Sequence, residues 1–301
     1  MFPGVVTRAR VPWASVGAFL AVAFVLAWAC FAGLRALGVP LQARATAGMF
    51  APAAAAIVVR VWRREGFADM GLTPGRRGRV LGPYVRAYLV PLGLLAAGAA
   101  IALVAGQHWA LYDNWQSQLD AIARTTGQGS RADVHRLGAA LLFAQFVSAL
   151  TVGTLITCIA TAGEELGWRG HLLVRLAPLG EVRAAFLVGI VWGLWHAPLI
   201  ALDGYEFGIR SWVVAPFFCL FTVPFGMLLA WLRFRSASVW PAVLAHAVVN
   251  SAAPLVLLVL SAPVSRLVGP PVGLVGLVPL WVFAAWLVLS HRLRPASAEA
   301  A

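Results

Sequence analysis

Eight stretches of about twenty apolar residues, each bounded by Arg, Pro, Gly or acidic residues, follow one another along the chain, and a bilayer core requires about that many residues per helix. They lie near 13–34, 46–62, 81–105, 138–162, 184–202, 212–232, 239–261 and 267–290. The second is the shortest, is rich in Ala and holds Pro52. A spanning segment must satisfy its own backbone, so the pattern predicts an all-α polytopic membrane protein of about eight transmembrane helices. Composition agrees, with 61% hydrophobic residues, 11% charged and a mean hydropathy of +0.85. A soluble domain has about a quarter of its residues charged, so soluble, disordered and nucleic-acid-binding chains are excluded despite the net charge of +12.

All the basic residues are Arg, 23 of them, and most stand between the apolar runs, where positive charge sets topology and meets anionic headgroups. With alternating spans, sixteen fall on the side of the N-terminus and seven on the other. That asymmetry predicts N-in, C-in. Two polar connections stand out: the basic Arg63–Val80, and Gln107–Leu137, which mixes Asp113, Asp120 and Asp133 with Arg124, Arg131 and Arg136. Residues 1–137 read as three N-terminal spans with these two loops, 138–290 as a core, and 291–301 as a short tail. Arg8 and Arg10 precede an apolar run longer than a secretory h-region, which predicts a signal-anchor rather than a cleaved peptide. Cys30, Cys158 and Cys219 have no CxxC spacing and are expected to be buried small hydrophobes. The all-Arg, Ala-rich composition points to a bacterial plasma membrane.

Ionisable groups within spans are costly and mark functional positions. Here they are Glu164, Glu165 and Arg169 at the end of span four, His196 in span five, and His246 with Asn250 in span seven. Two adjacent carboxylates beside an apolar span need compensation. Glu165 to Arg169 is an i,i+4 step in the favourable orientation, whereas Glu164 points about 100° away round the helix and stays available. Trp192 and His196 share a face, and Pro198 frees the carbonyl of Leu194, which predicts a helix bent around a site. His246 and Asn250 also share a face, with small neighbours that admit another helix. Each cluster alone fits helix packing; a carboxylate, two imidazoles and an amide on three spans are hard to satisfy unless they converge.

Convergence permits two hydrolytic chemistries. In one, Glu164 is a general base, one histidine orients the water, and the other histidine with the Asn amide stabilises the oxyanion. In the other, His196, His246 and a carboxylate, Glu164, hold a catalytic zinc with an open water position. No cysteine has a basic partner at helical spacing, and HExxH, GxxxxGK[ST] and GxGxxG after a strand do not occur. Haem ligation by His196 and His246 would leave both glutamates unexplained.

Glu164-Glu165-x-x-x-Arg169, Trp192-x-x-x-His196 and His246-x-x-x-Asn250, in that order, resemble the three motifs of the CPBP intramembrane protease family, which includes CAAX prenyl endopeptidases and bacterial bacteriocin-processing and self-immunity proteins. The resemblance covers roughly 138–260, and the Gly71-Leu72-Thr73-Pro74 turn looks like a recurrent element of such proteins. It implies that Glu164 activates water, that His196 assists, that His246 and Asn250 stabilise the oxyanion, and that Glu165 and Arg169 are structural. Trp192 stands where the family usually has Phe, and the larger ring is expected to alter cavity shape rather than chemistry. The resemblance leaves the choice of chemistry open; Asn250 one turn from His246 favours an oxyanion donor, hence no required cofactor, with Zn2+ as the alternative. The expected activity is an intramembrane endopeptidase acting on a membrane-associated or lipidated peptide, with no nucleic-acid partner. A noncatalytic immunity or scaffold protein, or a small transporter, is the alternative. Helix lengths place the site part-way into the membrane, opening to the cytoplasm or sideways to lipid.

Overall fold

The computed structural model describes residues 10–75, 80–126, 136–263 and 265–294. Arg8, Arg131, Asp133 and most of the 291–301 tail lie outside the described residues. Among these residues, every regular element is helical apart from one isolated antiparallel bridge between Trp109 and Leu260. Seven helices have the length and apolarity to cross a membrane: Trp13–Ala36, Leu41–Trp62, Leu81–Val104, Gly138–Leu179, Glu181–Asp203, Ala215–Ser236 and Trp240–Val259. An eighth, Leu274–Leu289, is apolar but has 16 residues. The expected all-α, multi-pass membrane fold is therefore present, with several boundaries moved for identifiable reasons.

The second span begins earlier than 46 and consists of two helices, Leu41–Gly48 and Ala51–Trp62. Pro52 lies in the first turn of the second helix, where its missing N–H costs nothing. The polar Gln42 and Arg44 concealed the extension; Arg44 is buried and reaches Asp203 at 2.8 Å. The fourth span runs on to Leu179 rather than stopping at 162, breaking at Thr151 and passing through a π turn at Trp168–Leu172. Its acids looked like a helix end in the sequence. They lie in the helix interior because their charges are met within the bundle. The last span starts at Leu274 rather than 267, since Gly269, Pro270 and Pro271 interrupt the run. The polar connection 107–137 contains the helix Leu111–Thr126, which the alternation of charges hid. Trp115 and Leu119 of that helix pack on Leu258, and Trp115 Nε1 donates to the Gly138 carbonyl at 3.0 Å. All three cysteines are unpaired and half-buried, less enclosed than expected.

The helix ends sort into two faces. At one, Arg35 and Arg44 meet Asp203 at 3.1 and 2.8 Å, and Asn114 Nδ2 donates to the carbonyls of Leu258 and Leu260. At the other, the connection after the second span is clamped to the bundle. Arg60 and Arg175 reach Asp69 at 2.6 and 2.7 Å, Arg175 reaches Glu65 at 2.6 Å, and Ser15 donates to Glu65 at 3.0 Å. Arg233 donates to the Asp69 carbonyl at 2.7 Å. Burial pushes the Glu65 carboxyl up, but hydrogen bonds from Arg175 and Ser15 and the Arg175 charge outweigh it and hold it down at about 2. Asp69 is likewise lowered, against its burial, by Arg60 and Arg175. The Gly71–Pro74 turn docks beside it: Val239 N–H donates to the Gly71 carbonyl, Trp240 Nε1 to that of Leu72, and Ser238 Oγ to that of Thr73. Gly71 has φ +73° and the Arg233 guanidinium occupies the space a side chain would need, so both geometry and contact require glycine there.

Candidate active site

The fourth span brings the acids against the second span through Gly163 and Gly167. Neither has room for a Cβ, because Met49, Phe50 and Pro52 at the second span's joint press against them. Small residues one turn apart thus set a close helix contact at the level of the carboxylates.

Glu165 and Arg169, both fully buried, form the expected i,i+4 pair at 2.8 Å. The same carboxylate oxygen, Oε1, also lies 2.9 Å from Nδ1 of His246. Glu165 therefore orients a histidine on another span, a role beyond the pairing its spacing suggested. The Arg169 guanidinium completes the arrangement by lying 4.5 Å over the Trp192 ring.

Glu164 is buried and has a different environment. Its Oε2 accepts hydrogen bonds from Nε1 of Trp192 and, at 3.2 Å, from Nε1 of Trp168. No hydrogen bond to Oε1 occurs among the described residues. The expectation that Trp192 affects only cavity shape needs correction, because its indole N–H bonds the carboxylate directly. Trp168 was missed in the sequence, although its i,i+4 spacing from Glu164 was the available signal.

The fifth span divides at His196, between Glu181–Trp195 and Ala197–Asp203, with Pro198 in the first turn of the second helix. This is the expected bend. His196 Nδ1 lies 2.9 Å from the Trp192 carbonyl. A carbonyl can only accept, so Nδ1 carries the proton and Nε2 of the neutral ring is an acceptor. Trp195 and Phe218 pack edge-on at 4.7 Å, and Tyr205 stacks at 6.0 Å with rings 7° from parallel. On the seventh span, His246 donates through Nδ1 to Glu165, and Asn250 follows one turn later, exposed.

Glu164, His196, His246 and Asn250 line one cavity of about 300 Å³. The structure thus brings together the four residues singled out from the sequence. It adds Tyr205 and Glu206, from the loop after the fifth span, which no spacing rule flagged. Glu206 is held in a left-handed conformation, φ 62°. Burial pushes its carboxyl up, opposed by the Tyr205 hydroxyl and the Arg266 charge. A second chamber of about 450 Å³ shares Gln42, Tyr205 and Glu206 with the first and is lined further by Gln107, Asn114 and Arg266. These residues belong to the Asp203 face. Toward the clamped face, Trp168, Arg169 and Leu172 are fully buried.

Among the described residues, no three His, Cys, Asp or Glu side chains assemble as a metal site. Each histidine has Nδ1 committed, to the Trp192 carbonyl and to Glu165, which leaves both Nε2 atoms open toward a ligand, while Glu164 Oε2 takes two indole donors.

Residues 141–252, which contain all three motifs, match the family model for type II CAAX prenyl endopeptidase, Rce1-like. Over 98 residues the chain is 34% identical to CAAX prenyl protease 2 of Methanococcus maripaludis. That similarity covers 31% of this chain and 36% of the relative, so the chain spans about a third of the curated protein it matches.

Proposed function

We propose, from the premise that residues 141–252 carry the core of the CPBP family of CAAX-type proteases, that the protein is an intramembrane endopeptidase using a glutamate-activated water. One observation carries the reading. Glu164 is fixed by two indole donors at the wall of the same cavity that His196, His246 and Asn250 line.

In this mechanism Glu164 takes a proton from water as the water oxygen attacks the peptide carbonyl carbon. Nε2 of His196, the ring's free lone pair, accepts a hydrogen bond from that water and orients it. The carbonyl oxygen becomes an oxyanion in the transition state and receives donors from His246 Nε2–H and the Asn250 amide. In this step His246 donates at both nitrogens, through Nδ1–H to Glu165 and through Nε2–H to the oxyanion. Glu164 then passes its proton to the departing amine as the C–N bond breaks. No metal is required, and Trp192, Glu165 and Arg169 act as positioning residues. The substrate is a peptide or protein held at the membrane, with lipidated polypeptides included, and the bacterial plasma membrane is the proposed location. N-in, C-in orientation and the division at residues 137 and 290 belong to the same reading.

The test is cleavage of a quenched fluorogenic peptide library by protein in nanodiscs, with Glu164→Gln and a strong chelator as separate arms. Expected are loss of at least about 100-fold in the variant, the scale of one general base, and unchanged rates with chelator. Loss with chelator would favour the zinc chemistry. Full activity of Glu164→Gln, or no cleavage by folded wild type, would overturn the proposal.

A further inference from the structure

In a chain with 23 arginines, acids near the bundle are taken up by guanidinium groups. Glu65, Asp69, Glu165 and Asp203 each hold an arginine nitrogen within 2.8 Å. Glu206 is different. It lines both chambers, yet among the described residues no arginine stands at ion-pair distance from it. The positive charge that reaches it belongs to Arg266, an exposed side chain whose stem passes over Gly208, with Cδ 3.8 Å from where a Cβ would stand. No arginine lines the first chamber, where Glu164 and Glu206 are the acids.

The local sequence holds the carboxylate at this place. The fifth span ends at Gly204, φ +74°, and the chain turns back at once, with the Gly208 N–H donating to the Gly204 carbonyl at 2.7 Å. Inside that turn the Phe207 N–H donates to the Tyr205 carbonyl at 2.7 Å, so Glu206 is the middle of a three-residue turn in its rarer, positive-φ form. The residues on either side are anchors. Phe207 is buried against Phe218 and Ile200, and Tyr205 stacks on the His196 ring. A left-handed backbone at a residue with a side chain costs energy, and packing on both flanks maintains it.

The second chamber presents further acceptors. Gln107 and Asn114 line it, and their amide nitrogens are committed: Gln107 Nε2 donates to the Ser261 carbonyl, and Asn114 Nδ2 to the carbonyls of Leu258 and Leu260. A carbonyl can only accept, so these contacts fix which end of each amide is nitrogen. Both amide oxygens are left without a hydrogen bond among the described residues. A carboxylate and two amide oxygens in one chamber match a group that is rich in N–H donors and positively charged. We infer that Glu206 is a specificity residue, which receives a lysine or arginine side chain of the polypeptide a few residues from the bond that Glu164 and the histidines act on. This deepens the proposed function and rests on it.

The experiment compares N-acetylated fluorogenic peptides that carry Arg, Lys, Gln or Glu at one position, scanned along both sides of the cleaved bond, with full-length protein in nanodiscs. Blocking the amino terminus ensures that any cation read is a side chain. At one position the wild type should cleave Arg and Lys peptides about 10- to 100-fold better than the Gln peptide in kcat/KM, the scale of a hydrogen bond to a charged group. Glu206→Gln should collapse that ratio, and Glu206→Arg should invert it in favour of Glu. Arg266→Gln, at an exposed residue, should raise it by removing the competing cation. A wild type indifferent to charge at every position overturns the inference, as does a folded Glu206→Gln that keeps the ratio. Should neither Glu206 variant fold, Arg266→Gln decides: a higher ratio supports the subsite, and an unchanged one overturns it. A second arm measures binding of labelled Arg and Gln peptides by fluorescence anisotropy. If folded wild type cleaves nothing, the proposed peptidase falls, and the subsite is judged on binding alone. Tighter binding of the Arg peptide that disappears in Glu206→Gln supports it, and equal binding of the two peptides overturns it.

Discussion

Trp192 serves three neighbours at once. Its indole N–H holds Glu164, its carbonyl fixes the His196 tautomer, and its ring lies under Arg169. Trp192→Phe keeps the ring and the carbonyl and removes only the N–H. A hydrogen bond to a charged group contributes about 1.5–3 kcal/mol to stability, so the melting temperature should drop measurably and kcat should fall roughly 10- to 100-fold as Glu164 loses its alignment, with KM nearly unchanged. Steady-state kinetics on that variant checks the positioning role, and an unaltered kcat would remove it. Glu165 behaves differently, because it is the shared partner of a buried cation and a buried histidine. Glu165→Ala leaves Arg169 unpaired, and losing one partner of a buried ion pair costs about 3–5 kcal/mol. Folded yield in detergent, read by size-exclusion chromatography, should drop sharply. The Glu165–Arg169 pair was legible in the sequence because both partners lie on one helix at i,i+4. The Glu165–His246 bond was not, since it joins residues 81 apart and depends on how two spans pack.

Breaks within spans position the site. The fifth span's joint puts His196 at the cavity wall, and Pro198 enforces it by denying the helix a donor. Pro198→Ala allows the helix to run through, turning the imidazole away from the water; cleavage should fall by at least about tenfold while thermal stability holds or rises, since Ala is a far better helix former. The joint in the second span has a packing role, filling the space left by Gly163 and Gly167. Gly167→Val should separate the two spans and abolish folded protein, as measured by detergent melting. Apolar runs revealed the spans, but not that the fourth continues past its acids or that the last begins late. Hydropathy reads charge as an end of a helix, whereas here Arg169, His246 and two indoles make charge tolerable inside one.

The whole bundle is fastened at its arginine-rich end by Glu65 and Asp69, two carboxylates shared among Arg60, Arg63 and Arg175. Glu65 has a folded pKa of about 2, below its ordinary value of about 4.3. The unfolded chain therefore binds more protons between those values, so the clamp's contribution is complete above about pH 4.3 and is lost as pH falls toward 2. Melting temperatures across that window should decline steeply for the wild type and less steeply for Glu65→Gln, which begins lower at neutral pH. The basic character of this end was visible in the sequence; its fastening was not, because the acids responsible are scattered through a loop. A chamber backed by buried side chains at one end imposes an order of turnover. In the proposed peptidase the attacking water enters before a peptide fills the cavity, and the fragments are expected to leave by the path on which the substrate arrived. Release should therefore depend on the length of the amino- and carboxy-side fragments, with short peptides turning over fastest and long anchored ones inhibited by their own products.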